Sequence, residues 1–189
     1  MSETTLTSQE EPTRTSVWTI DPSHSGISFS VRHMMISTVR GRFDTFSGQV
    51  IGDPPEWRDA KVSVEIDAAS INTRDPQRDA HLRSGDFLET DRFPKITFQS
   101  TRIRQTGENT FDIEGDLTIR GVTRSVTLHA RFTGQGKDPW GGERAAFEAE
   151  TELDRRDFGV TFNTVLETGG VLVGDRLRVS IELELVRQA

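Results

Sequence analysis

The chain has no cysteine and no tyrosine, and only 33% of its 189 residues are apolar. Without cysteine there are no disulfides, no thiolate metal sites and no cysteine nucleophile. No window approaches the ~20 consecutive apolar residues of a membrane-spanning helix. Positive charge is also short: the net charge is −7, which argues against a broad electrostatic grip on nucleic-acid phosphates. The signatures of common catalytic sites are missing too. There is no GxSxG elbow, no P-loop, no HExxH and no GxGxxG between a strand and a helix. Gly134-Gln135-Gly136 lies between strand patterns, where it cannot cradle a phosphate at a helix start. The four histidines, His24, His33, His81 and His129, show neither HxH nor HxxxH spacing, so no single element offers two imidazoles to a metal. Eleven phenylalanines beside no tyrosine suit an interior without polar partners, because a buried phenol hydroxyl needs one.

Residues 1–16, MSETTLTSQEEPTRTS, contain Met1 and Leu6 as their only apolar groups. This stretch has neither the basic start nor the apolar core of a secretory leader, so the expectation is a disordered tail on a cytoplasmic protein. Residues 17–189 then form one domain, an ordinary size for a closed sheet.

What fills that domain is alternation. From Leu177 to Leu185 every odd position is aliphatic and every even one polar, which describes a strand with one buried face. The pattern recurs at Ile27, Phe29, Val31 and His33; at Val62, Val64 and Ile66; and at Ile96 and Phe98. It continues at Phe111, Ile113, Leu117 and Ile119, then at Val126, Leu128, Ala130 and Phe132, and at Phe147, Ala149, Thr151 and Leu153. Residues 39–51 read as one strand in which Phe43 and Phe46 fall on opposite parities, the mark of a bulge or corner. Residues 134–142 read as a hairpin loop and 154–159 as a short turn. Asp75 and Pro76 mark the start of a short helix over residues 75–84, with Leu82 its one strongly apolar side chain. The fold class is all-β: eight or so strands closed into a barrel, with one clear short helix. A barrel of eight strands is either filled by its own side chains or holds one small ligand.

Among the polar residues, His33 carries the inward parity of Val31 and is expected as a polar anchor inside the barrel or at its mouth. His129 alternates outward. Around the helix, Arg74, Asp75, Arg78, Asp79, His81 and Arg83 are expected as a solvated helix face; because like charges fall at i,i+4, the alternative is that some find partners elsewhere or meet a ligand. By the same parity Phe98 and Ile119 face in, whereas Gln99 and Arg120 face water.

A series of motifs in order resembles the YceI family of lipid-binding barrels. They are residues 18–33 (WTIDPSHSGISFSVRH), 39–43 (VRGRF), 70–73 (SINT), 78–88 (RDAHLRSGDFL), 93–98 (FPKITF), 115–123 (GDLTIRGVT) and 156–159 (RDFG), spread over residues 17–187. The resemblance implies an extended eight-stranded antiparallel barrel, lipocalin-like and with one or two short helices, whose apolar channel takes a polyisoprenoid or similar chain-like amphiphile, such as a polyprenyl phosphate or a quinone. It also implies a tendency to form homodimers, and binding or transport in place of a reaction, with no cofactor beyond the lipid itself. Carried over to matching motif positions, the implied lipid contacts are Phe29, Val31, His33, Phe43, His81, Leu82, Phe87, Phe98, Leu117 and Ile119. Two other readings stand beside this one. One is an enzyme acting on a lipid-like substrate through His33 and nearby carboxylates; the other is a filled barrel serving as an interaction scaffold.

Overall fold

The computed structural model describes residues 15–189. Most of the expected tail lies outside them, but its last residue does not behave as a tail. Ser16 is buried, its N–H donates to Asp53 Oδ1 at 3.2 Å and its carbonyl accepts from the Gly52 N–H at 2.9 Å. Ser16 is thus held against the barrel by its own backbone.

Eleven strands follow: β1 (Val17–Ile20), β2 (Gly26–His33), β3 (Ser37–Phe43), β4 (Phe46–Ile51), β5 (Lys61–Asp67), β6 (Ile71–Asn72), β7 (Lys95–Gln105), β8 (Thr110–Ile119), β9 (Val122–Lys137), β10 (Glu143–Asp154) and β11 (Val173–Arg187). They make eight staves, because three staves are broken at a corner. β1 and β2, separated by a 3-10 turn at Pro22–His24, both pair along the same edge of β11. β4 pairs with β1 while β3 pairs with β2, and the break between Phe43 and Phe46 is the corner that their parity mismatch announces. β5 pairs with β4 and β6 with β3. The remaining strands continue as antiparallel neighbours from β7 to β11, and β1 on β11 closes an eight-stranded antiparallel barrel.

Closure needs local irregularity, and three register shifts supply it. One, between Ser100 and Arg102 in β7, switches the inward set from Ile96 and Phe98 to Ile103, a change of parity the sequence pattern does not reveal. A second follows Ala146 in β10, and a third lies between Val173 and Leu177 in β11. The β9–β10 hairpin is longer than expected: the strands run to Lys137 and from Glu143, leaving only residues 138–142 as the loop.

The two ends of the barrel differ. At the end where β4 turns into β5, Trp57 on a 3-10 turn (Trp57–Asp59) folds inward as a plug. Its ring lies edge-on to Phe147 at 5.2 Å and to Trp18 at 5.6 Å, and tilted against Phe132 at 6.2 Å. Trp18 and Leu185, the two largest fully buried side chains, belong to the same cluster. At the opposite end the short β6 pairs with β3 alone, and the chain between β6 and β7 fills the space beside it. That chain carries the helix α1 (Pro76–Arg83), capped by Asp75, whose carboxylate accepts from the Gln77 and Arg78 N–H groups. The 3-10 turn at Arg155–Phe158 and residues 160–172 complete this end.

Candidate ligand-binding cavity

All eight staves contribute side chains to one continuous cavity that runs from the Trp57 plug to the α1 end. The five odd-numbered aliphatics of β11, Leu177 to Leu185, form one wall; Phe111, Ile113, Leu117 and Ile119 of β8 form another. A water molecule's centre can reach about 260 Å³ of it, and the atom-free space, open mouth included, is about 1910 Å³. Apart from the Trp57 indole, whose Nε1 is buried without a partner, Ser28, Thr151 and Arg155 are the only polar residues of the lining among the described residues, and no carboxylate, histidine or lysine belongs to it. Those three are already engaged: Ser28 Oγ donates to the Ser180 carbonyl and Thr151 Oγ1 to the Thr127 carbonyl.

Arg155 is the residue that sequence reasoning missed. It is buried, and its guanidinium donates to four backbone carbonyls: Nε to Gly174 at 2.9 Å, Nη1 to Val160 at 2.9 Å and Phe162 at 2.8 Å, and Nη2 to Val173 at 3.4 Å. It thus ties both ends of the 160–173 segment to the end of β10. Burial pulls its pKa below the ordinary value for arginine, with the nearby carboxylates of Asp175 and Asp154 opposing that shift. The signal lay in parity, since 147, 149, 151 and 153 face in and 155 continues the series.

Eight of the ten expected contact residues line the cavity: Phe29, Val31, Phe43, Leu82, Phe87, Phe98, Leu117 and Ile119. Two do not. His33 ends β2 one rank beyond Val31, half-buried between Ser37 and Val173 at the rim; the strand stops before parity can carry it inside. His81 sits beside Leu82, but one residue turns the helix by about 100°, and only Leu82 reaches the lining. The His81 ring instead lies edge-on to Phe87 and Phe162, both at 5.0 Å, with Nε2 2.8 Å from Asp86 Oδ2. Among the described residues neither His33 nor any carboxylate belongs to the lining, so the groups the enzyme reading names lie outside it.

The charged cluster on α1 finds its partners in the preceding chain. Arg78 donates from Nε to Thr73 Oγ1 and from Nη2 to the Thr73 carbonyl, and the buried Asp79 accepts from the Thr73 N–H and hydroxyl. Arg83 donates to the Ala69 and Ile71 carbonyls. These bonds lash the helix to β6. Arg120, expected to face water, is engaged as well. From the β8–β9 turn it donates to the carbonyls of Phe87 and Gly159 and pairs with Glu89. His129 does lie outside, 2.8 Å from Asp112.

The most perturbed carboxylates are on the outer surface. Asp21 is held well below the usual carboxylate range by the Ser23 hydroxyl, then by His24 and Arg144, while its partner His24 is raised. Asp21, His24 and Glu184 have a spacing that suits a cation, but Arg144 Nη1 already donates to Asp21 at 2.8 Å and Glu184 at 2.7 Å. A guanidinium occupies that position.

A family model described as a YceI-like domain matches residues 18–185, nearly the whole described chain. The chain belongs to the YceI-like family. A UPF0312 protein of Vibrio parahaemolyticus is 43% identical over 138 residues, 73% of either chain, and one of Ectopseudomonas mendocina is 44% identical over 73% of this chain and 72% of its own. Among solved structures, this YceI-like barrel resembles BcnA of Burkholderia cenocepacia with a TM-score of 0.77 and 25% identity, over 87% of this chain and 98% of that one. It resembles the YceI protein of Campylobacter jejuni with a TM-score of 0.72 and 29% identity, over 84% and 90%. The extended barrel with its single helix is the architecture of that family.

Proposed function

We propose that this YceI-like protein holds a long-chain isoprenoid-like amphiphile in the barrel, for storage, transport or sequestration. The observation that carries this reading is the lining: a long cavity, apolar but for three residues whose side chains are already bonded elsewhere in the chain and the unpartnered indole N–H of Trp57. Membership of the YceI-like family supports lipid binding in general terms. A Saccharophagus degradans domain described as polyisoprenoid-binding shares the fold, with a TM-score of 0.66 at 16% identity.

Energetics point the same way. An empty cavity costs on the order of 24 cal/mol per Å³, so leaving 260 Å³ unfilled would cost about 6 kcal/mol. That is comparable to the whole stability of a typical domain, about 5–15 kcal/mol. A void of this size is hard to retain as a packing fault and easy to understand as a ligand site. Each buried CH₂ of a ligand contributes about 0.8 kcal/mol. A lipid chain therefore binds tightly by length alone, and with few polar contacts the site discriminates chain chemistry loosely.

The test is organic extraction and native mass spectrometry of protein purified from more than one host, followed by addition of a polyprenyl lipid. The expected result is co-purified or added lipid at one chain per barrel. Protein that arrives empty from every host and takes up no prenyl lipid would overturn the reading.

A further inference from the structure

Four of the five large hydrophobic side chains exposed among the described residues sit at one place. Met34, Met35 and Ile36 form the β2–β3 turn, 41%, 60% and 78% exposed, and Val165 is 79% exposed. Val165 belongs to a neighbouring hairpin, bridged from Val165 to Val171. The two tips touch: the Met34 N–H donates to the Leu172 carbonyl at 2.8 Å, and the Met35 thioether lies against Gly170, leaving no room for a side chain there. Met34 and Met35 both hold positive φ, 50° and 62°. Methionine rarely adopts this conformation, yet here it accompanies a turn whose apolar side chains stay largely exposed.

This patch adjoins the cavity. Val173, which ends the second hairpin and pairs with His33, lines it, as do Val31 on β2 and Arg155, which holds both ends of the 160–173 segment. The charges around the patch depart from the rest of the molecule. Between Pro22 and Asp44 there is no acidic residue, although the chain as a whole carries a net −7. Arg32 and Arg40 lie on the outer face of the β2–β3 hairpin, and neither has a carboxylate partner among the described residues. Arg32 instead wraps the tip, donating to the Met35 carbonyl at 2.9 Å and to Thr38. Glu167 is the one acid on the facing hairpin.

Exposed apolar tips flanked by unneutralised arginines are complementary to one surface, an anionic bilayer, whose acyl boundary takes the apolar groups while its phosphates meet the guanidiniums. We propose that the β2–β3 turn and the 163–172 hairpin dock this end of the barrel onto anionic membranes, so that an amphiphile passes between bilayer and cavity without crossing water. The proposal rests on the ligand reading above for its purpose, but docking is measured separately from lipid uptake.

The experiment is flotation of the full chain with vesicles of phosphatidylcholine alone and with vesicles containing a third phosphatidylglycerol. In parallel, each protein receives a short-chain prenyl lipid from solution without vesicles. Wild type is expected to float with the anionic vesicles and less so as salt rises. Met35→Asn/Ile36→Ser/Val165→Ser should weaken partitioning at least tenfold, and Arg40→Gln about fivefold. Trp140→Ser, which alters the exposed hydrophobe on the β9–β10 loop at the opposite end, should change nothing. All variants should take up lipid from solution as wild type does. Wild type that stays unbound on anionic vesicles, or a triple variant that floats as well as wild type, would overturn the proposal. So would a triple variant that loses only self-association, which would make a second copy the occupant of the patch. Flotation without uptake from solution would instead sink the ligand reading and leave the docking surface standing.

Discussion

Arg155 and Val160 are joined by a hydrogen bond from Nη1 to the carbonyl at 2.9 Å, wholly inside the protein. The same guanidinium holds Phe162, Gly174 and Val173, so one side chain satisfies carbonyls at both ends of the segment that borders the cavity mouth. Arg155→Met keeps the volume and removes every donor. Carbonyls left unpaired cost about 1–3 kcal/mol each when they stay buried. The segment is free to move its carbonyls out to water, so the expected loss is about 2–4 kcal/mol in urea unfolding. Limited proteolysis should move to residues 160–173. A variant as stable and as resistant as wild type would show that the clasp has no structural role.

A filled barrel and a tunnel respond oppositely to added volume. Leu128 lines the cavity from β9 and is only half-buried. Leu128→Phe puts its ring into open space, so unfolding free energy is expected to stay within about 1 kcal/mol of wild type, while the longest prenyl chain retained becomes shorter. In a packed interior the same change forces neighbours off their rotamers and costs about 1–3 kcal/mol. A loss of that size, with lipid retention unaltered, would favour the interaction-scaffold reading.

Stability should fall at acid pH in a definite window. Asp154 is lowered to about 2, chiefly by hydrogen bonds from Arg156, and Asp21, Asp44, Asp112 and Asp138 are lowered in the same direction. A carboxylate whose folded pKa lies below its unfolded value, 3.8, contributes stability that is fully present above that value and is lost as pH falls through the folded one. The melting temperature is therefore expected to hold down to about pH 4 and to drop steeply towards pH 2. His24 acts in the opposite sense. Raised from 6.5 by Asp21, it contributes below that pH and ceases to as pH rises through its folded value. Arg156→Leu should shallow the acid limb, and His24→Gln should remove the small alkaline one. A melting temperature flat from pH 5 to pH 2 would contradict the assignment.

The barrel was legible because its inward faces are long and strictly alternating; parity alone assigns Leu177 to Leu185 and Phe111 to Ile119 to the cavity. It fails at three kinds of place. A bulge changes parity without changing composition, which hid Ile103. A strand that ends removes the meaning of parity, which is why His33 stops at the rim. Polar side chains that bond to backbone carbonyls elsewhere leave no local sign of those partners, even where parity turns the side chain inward as at Arg155. Arg155, Arg83 and Arg120 do this, and their partners are 5 to 39 residues away in sequence. The same blindness applied to the α1 cluster, where like charges at i,i+4 are reconciled by Thr73 and by carbonyls of the preceding segment.

Charge placed on the two faces of one strand tests the inside–outside assignment directly. Phe98 is buried, lines the cavity, and packs against Gly115, where a side chain would overlap its ring. Gln99 is the next residue of β7 and is exposed. An aspartate at 98 enters an apolar, low-dielectric lining, so its carboxyl should titrate well above the usual range or the barrel should open. Ile119→Asp meets the same environment from β8. Phe98→Asp and Ile119→Asp are therefore expected to abolish retention of a polyprenyl lipid, and Gln99→Asp to leave it near wild type. Arg120 cannot serve as a second outward control, because its bonds to Phe87 and Gly159 hold the segment that closes this end. Arg120→Asp should loosen the mouth and speed lipid exchange while equilibrium capacity stays the same, which stopped-flow transfer to acceptor vesicles separates from simple loss of binding. Equal retention in Phe98→Asp, Ile119→Asp and Gln99→Asp would mean that lipid does not reside in the barrel.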